Sequence, residues 1–184
     1  KARMFYVAYE KSGAEAADRP VTFCFNGGPG ASSIWLHMAA LGPRYVPFPE
    51  GGTALPESPQ LKANPYTWLS FTDLVFIDPV GTGYSRAAKG SDPKKYWSVS
   101  GDLRSVGEFI RRYVGHKNRW TSPLYVAGES YGATRAGGLT TYLQDEHHIY
   151  LDGVVLISSA LDFQLLRHSQ GTGVTNALFL PTMT

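Results

Sequence analysis

The residues best suited to do chemistry are Gly128-Glu129-Ser130-Tyr131-Gly132, a serine with glycines two positions away on either side. A serine hydroxyl becomes a useful nucleophile when a base takes its proton, and acyl transfer also needs donors aimed at the oxyanion that forms on the attacked carbonyl. The pentapeptide follows a short apolar run at 124–127 and opens a helical pattern, so Ser130 is expected on a tight strand-to-helix turn. Glycines there lack a Cβ and let neighbouring chain come close. At the first turn of such a helix, unpaired N–H groups and the helix dipole favour developing negative charge. A second glycine-rich stretch, Asn26-Gly27-Gly28-Pro29-Gly30, follows another apolar run upstream. Taken singly, these are also the marks of an N-cap serine and of a Gly/Pro turn. Their joint placement after strands is what points to acyl transfer.

The elements that must position these residues follow from periodicity. Residues 4–10 alternate and are rich in aromatics, reading as a strand; 11–19 form a polar turn and 20–25 a second strand. Ile34, Trp35, Met38 and Leu41 have helical spacing over 31–41, which Gly42-Pro43 should end. Prolines and glycines are dense after Pro43, so 43–68 is expected to be an irregular or hairpin excursion. The apolar run 74–77 predicts a strand buried on both faces, closed by Asp78-Pro79. Helices are expected over 100–114, capped by Ser100 and stopped by Gly115, and over 131–144, with strands at 124–127 and 153–157. Strands alternating with helices in this order predict right-handed crossovers and a mainly parallel sheet. No internal repeat or low-complexity tract is visible.

Bulk properties narrow the function classes. The 184 residues, 43% hydrophobic and 17% charged, suit one folded domain. The net charge of +2 comes from dispersed Lys and Arg, which leaves no nucleic-acid footprint. No run approaches the roughly 18 apolar residues that span a bilayer. The single cysteine, Cys24, reads as a buried strand residue and allows no disulfide within these residues. Lys1 opens no hydrophobic signal region, and the final residues, 179–184, read like the middle of a domain. Truncation is therefore expected.

The chain resembles the serine carboxypeptidase family of α/β-hydrolases. The resemblance rests on Phe25-Asn26-Gly27-Gly28-Pro29-Gly30-Ala31-Ser32-Ser33, Asn64-Pro65-Tyr66-Thr67-Trp68, Phe76-Ile77-Asp78-Pro79-Val80-Gly81-Thr82-Gly83-Tyr84-Ser85 and Gly128-Glu129-Ser130-Tyr131-Gly132, in the family's order. It implies that Ser130 attacks the acyl carbon while the backbone N–H groups of Gly28 and Tyr131 hold the oxyanion. It also implies that Asn26, Gly27 and Glu129 recognise a peptide's free C-terminal carboxylate, with Glu129 protonated at acid pH so that it donates a hydrogen bond. Tyr84, on the turn after the 74–77 strand, is a candidate pocket residue, and aromatic packing under a glycine turn is its alternative; Trp68 reads as core. The family usually carries Cys where Ala31 stands and Glu where Ala40 aligns. Both are missing, which leaves esterase, acyltransferase or altered peptidase specificity open.

The resemblance implies a fold and a set of absences. Residues 1–184 would be the N-terminal part of one α/β-hydrolase domain, a mainly parallel central sheet flanked by helices, with the C-terminal part missing. In such folds the triad runs Ser, then Asp or Glu, then His, and the later two would lie beyond Thr184. His147 and His148 fall about 25 Å along the helix from Ser130 at 1.5 Å per residue. His37 and His116 precede the serine. Asp162 and His168 follow the 153–157 strand and are weak candidates. The implied activity is a serine-type carboxypeptidase with peptide substrates, no metal or organic cofactor, and an exported, periplasmic or acidic compartment. The remaining part of the same domain would be its partner. Isolated residues 1–184 are then expected to be inactive, and a binding or structural role without catalysis is the alternative from another class.

Overall fold

The computed structural model describes residues 1–15, 19–49, 60–160 and 163. The strands in chain order are β1 Ala2–Arg3, β2 Tyr6–Tyr9, β3 Val21–Phe25, β4 Arg44–Tyr45, β5 Lys62–Ala63, β6 Asp73–Ile77, β7 Arg86–Ala87, β8 Leu124–Glu129 and β9 Gly153–Ile157. Two long helices, α1 Val99–His116 and α2 Tyr131–His147, follow β7 and β8. The main sheet has five strands in the order β2-β6-β3-β8-β9, with β2 antiparallel to β6 and every other pair parallel. Every residue of β3 and β6 is buried, as their continuous apolar runs predict for strands covered on both faces. The expected mainly parallel sheet is present.

Alternation along the strands sends side chains to two cores. Val21, Phe23 and Phe25 of β3 pack with Val75 and Ile77 of β6, Val106, Ile110 and Val114 of α1, and Leu139 and Leu143 of α2. Cys24, Leu74, Phe76 and Ala127 face the other way and meet Leu36 and Leu41, with Trp68 packed against them. Burial pushes the Cys24 thiol well above its ordinary value, so it behaves as a small apolar residue.

Several boundaries differ from the sequence reading. Helix α1 is capped by Ser98, whose hydroxyl accepts from the Gly101 N–H at 3.1 Å, and not by Ser100. It runs through Gly115 to a cap at Lys117, because the Lys117 N–H still reaches the Tyr113 carbonyl. The segment expected to be helical over 31–41 becomes a π-helical turn, Leu36–Leu41, closed by the Gly42 N–H donating to His37 O at 3.1 Å. Helical residues begin at Ile34, just after Ser33, whose N–H donates to Asp78 Oδ1 at 2.9 Å and ties the start of the helix to the end of β6. The 43–68 excursion contains the short antiparallel ribbon of β4 and β5; residues 50–59 lie outside the described residues.

At the amino-terminal end of β6, buried Asp73 gathers two arginines. Its Oδ2 accepts from Arg119 Nη1 at 2.8 Å, and its Oδ1 from Arg19 Nε at 2.9 Å and the Lys11 N–H at 3.1 Å. Arg119 is 2% exposed and also donates to Ser122 Oγ and Arg19 O. Burial alone would raise the Asp73 carboxyl, but the hydrogen bonds from Arg119, Arg19 and the Lys11 amide hold it below the ordinary carboxylate range. A depressed carboxyl contributes stability above the ordinary aspartate value of about 3.9 and loses it as pH falls through the lowered value. Asp73→Asn leaves Arg119 buried without its counter-charge, so it should destabilise by about 3 kcal/mol at neutral pH. Urea unfolding from pH 7 to 2.5 should show wild type losing its advantage over the variant as the carboxyl protonates. A constant difference across that range would remove Asp73 from the account of acid stability.

Candidate active site

Connections through the sheet decide where a site can form. From β3 the chain passes to β6 on one side, and from β8 it passes to β9 on the other. Neighbouring strands whose connections diverge open a crevice at their carboxyl ends, where α/β sheets hold ligands. Here the carboxyl ends are Phe25, which leads into Asn26–Gly30, and Glu129, which leads into Ser130. The two motifs therefore face one crevice because strands from distant parts of the sequence pair in parallel, Phe25 opposite Gly128.

Ser130 sits at φ 58° and ψ −121°, a conformation that costs an L-residue energy and persists only when its surroundings enforce it. Those surroundings are the Ser130 N–H donating to Ile157 O at 2.9 Å, and the Ala133 N–H donating to Ser130 O at 2.9 Å. The first ties the turn to the end of β9 and the second starts α2. Ser130 is half-buried, and its side chain remains on a cleft wall.

Across the crevice, Gly27 touches this turn through its backbone. A Cβ there would stand 2.5 Å from Tyr131 N, 2.6 Å from Glu129 O and 2.9 Å from Ser130 Cβ. Only glycine allows the loop to lie this close to the first amide of α2. Gly28 follows at φ 107° and lines the same cleft as Ser130. The cleft holds about 440 Å³ and is lined by Asn26 and Glu129 together with Ala31, Trp35, Leu36 and Ala40. Asn26 is 1% exposed; its Nδ2 donates to Glu129 Oε2 at 3.0 Å and its Oδ1 accepts from the Leu36 N–H at 3.0 Å. Those bonds fix which way the amide points. Such a site can present a hydroxyl to a carbonyl, oppose it with main-chain N–H groups, and offer an amide and a carboxyl to a polar end of the ligand.

The structure brings Asn26, Gly28, Glu129 and Ser130 together on this cleft, with Gly27 and the Tyr131 amide at the seam beneath. Tyr84 is placed elsewhere: it is 79% exposed, meets Phe5 edge-to-face at 5.1 Å, and lines a separate pocket with His37 and Asp78. Asp78 uses its carboxylate on the Ser33 and Tyr84 amides, so it buttresses the loop. A larger hollow of about 750 Å³, between β1 and α1, contains none of the motif residues.

Among the described residues, no histidine lines the Ser130 cleft. His37 shares a 2.7 Å hydrogen bond with the Tyr9 hydroxyl and stacks on Phe76 at 4.5 Å; burial lowers its pKa while Asp78 opposes the shift. His116 lies in the last turn of α1, His147 in the last turn of α2, and His148 caps that helix. Asp162 and His168 lie outside the described residues. Sequence reasoning missed Arg135 and Asp102, a buried pair whose Nε–Oδ2 distance is 2.8 Å and whose arginine also reaches the carbonyl of Asn26. No local signal marked them.

A family model described as serine carboxypeptidase matches residues 1–172. The chain belongs to the serine carboxypeptidase family. Among curated relatives, it is 33% identical over 133 residues to serine carboxypeptidase-like 2 of Arabidopsis thaliana, covering 70% of this chain and 28% of that protein. It is 30% identical over 161 residues to serine carboxypeptidase-like 34 of the same plant, covering 79% and 28%. The chain thus spans little more than a quarter of the length of these family members. Among solved structures, a prohormone-processing carboxypeptidase from Saccharomyces cerevisiae superposes with a TM-score of 0.65 at 20% identity, over 100% of this chain and 44% of that one. A putative hydrolase from Agrobacterium vitis gives 0.53 at 16% identity, over 96% and 55%. The fold is that of the α/β-hydrolases, seen here as part of a larger domain, as the motif blocks implied.

Proposed function

We propose that this member of the serine carboxypeptidase family removes C-terminal residues from peptides by way of an acyl-enzyme on Ser130. The observation that carries the reading is the seam at Gly27, which sets the loop backbone against the Tyr131 amide beside the strained serine. In this reading Ser130 Oγ attacks the scissile carbonyl as a base takes its proton, and the Gly28 and Tyr131 N–H groups receive the oxyanion. The leaving amine takes that proton, and water then cleaves the ester. The base and its acid partner come from outside the described residues, and the order of such triads has them follow Ser130 in the chain. Asn26, Gly27 and Glu129 receive the substrate's terminal carboxylate.

Ala40 lines the cleft where the family usually has Glu, and this favours a second reading of the same site. With no second carboxyl to assist Glu129, selection for a free C-terminus should weaken. We expect the full-length protein to hydrolyse a free peptide and its C-terminally amidated counterpart with kcat/KM values within about tenfold, a gap of about 1.4 kcal/mol. Strict exopeptidase action would refute this relaxed specificity. Mass analysis of products with an added alcohol acceptor separates ester formation, the acyltransferase outcome, from hydrolysis.

A further inference from the structure

We infer that Arg135 is a positioning residue for the oxyanion loop, its guanidinium tethering the Asn26 carbonyl to the start of α2 while Asp102 holds the guanidinium in place. The inference rests on the acyl-transfer reading of Ser130. Arg135 lies one turn along α2 from Tyr131 and is 2% exposed. Its Nη1 donates to Asn26 O at 2.9 Å and its Nε to Asp102 Oδ2 at 2.8 Å. Its Cζ stands 5.1 Å from the Phe25 ring centroid and 5.2 Å from that of Tyr131. Tyr131 and Asp102, the latter in the first turn of α1, line one pocket with Arg135. One cation thus touches the last residue of β3, the first carbonyl of the oxyanion loop and the first residue of α2.

The loop needs such a restraint. Gly27 and Gly28 have wide torsional freedom, and nothing in their own side chains fixes where their amides point. The Asn26 carbonyl shares a peptide plane with the Gly27 N–H, so holding it sets the plane from which the Gly28 amide is reached. The Asn26 side chain, bonded to Glu129 and Leu36, steadies the far end of the residue and leaves that plane free to rotate. Stability alone does not account for the arrangement, because buried ion pairs gain little over well-packed apolar residues. A tether with two arms, one on Asp102 and one on the loop, does account for a guanidinium here.

The test uses the full-length protein with Arg135→Met, Asp102→Asn, the double variant and Arg135→Lys, reading kcat, KM, Tm and amide exchange over residues 26–31. Arg135→Met should lower kcat about 100-fold, the loss typical of a misplacement near 1 Å, with KM within about threefold. It should also lower Tm, since Asp102 is left unpaired. The double variant removes both charges, so its Tm should return toward wild type while kcat stays low and exchange over 26–31 stays fast. Arg135→Lys keeps the charge opposite Asp102 but lacks the second arm; it should fold and show the same kcat loss. Recovery of kcat together with Tm in the double variant, or wild-type kcat in Arg135→Lys, would overturn the inference. Should the wild-type protein prove unreactive at Ser130, the acyl-transfer reading fails by itself, and exchange over 26–31 still decides the tether: unchanged exchange in the double variant and Arg135→Lys refutes it.

Discussion

Ser130→Ala should abolish fluorophosphonate labelling of the full-length protein and lower kcat on peptides by on the order of 10⁶-fold, the cost of removing an acyl-transfer serine where the rest of the machinery is intact. The size of the effect follows from the site's division of labour. Main-chain amides and bound substrate still stabilise charge without the hydroxyl, but no covalent intermediate forms. Folding should hardly respond, because the bonds that enforce the turn run through the Ser130 N–H and carbonyl, which alanine keeps. A companion variant separates strain from chemistry. At φ 58° and ψ −121° an alanine is as strained as the serine, whereas glycine is not. Ser130→Gly should therefore be equally inactive yet more stable than Ser130→Ala by about 1 kcal/mol, within the range stored at such outliers. Labelling that persists in Ser130→Ala would mean that another residue is the nucleophile. A glycine variant no more stable than the alanine one would mean that the turn stores no strain.

Much of this architecture is legible locally, and its failures share a cause. The runs at 74–77 and 153–157 give their strands almost residue for residue: in β6 burial on both faces demands a short continuous apolar stretch, while β9, at the edge of the described sheet with Val154 and Leu156 exposed, is legible from its β-branched apolar residues. The serine turn and the glycine loop are legible because close backbone approach admits few residue types. The helical spacing puts the cap of α1 at Ser100, two residues late, because the extended backbone at Ser98 that makes it the cap is not visible in local sequence. The start of the helical segment that becomes π-helix at Leu36–Leu41 is tied by the Ser33 amide to Asp78, an acceptor 45 residues away. Strand order is equally non-local: nothing near β3 announces that β6 and β8 will flank it. Arg135 escaped because an arginine four residues after a helix start reads as solvent-facing, and its burial requires Asp102, 33 residues earlier. The polar residues that set the site's precision are thus the ones whose partners lie farthest away in sequence.

Gly27→Ala should be highly damaging to activity, lowering kcat by about 10³-fold, as when an oxyanion donor is lost, with a stability loss of about 2 kcal/mol from overpacking. The added Cβ would stand 2.5 Å from Tyr131 N and 2.6 Å from Glu129 O, and both of those atoms belong to main chain. Neither side can yield cheaply. The serine turn is pinned to β9 by the Ser130 N–H to Ile157 O bond, and the loop is pinned behind by Arg135 on the Asn26 carbonyl. Relief must come from lifting the loop, which carries the Gly28 amide away from the carbonyl it is to polarise. Gly137→Ala supplies the control in α2: nothing lies within 4 Å of the added Cβ, so helix propensity should raise stability by up to about 1 kcal/mol with kcat unchanged. Steady-state kinetics and urea unfolding on the two variants distinguish a clash at the seam from a general intolerance of alanine. If Gly27→Ala kept wild-type kcat, the loop and the serine turn would not be in contact during turnover, and the two amides would have no common oxyanion to share.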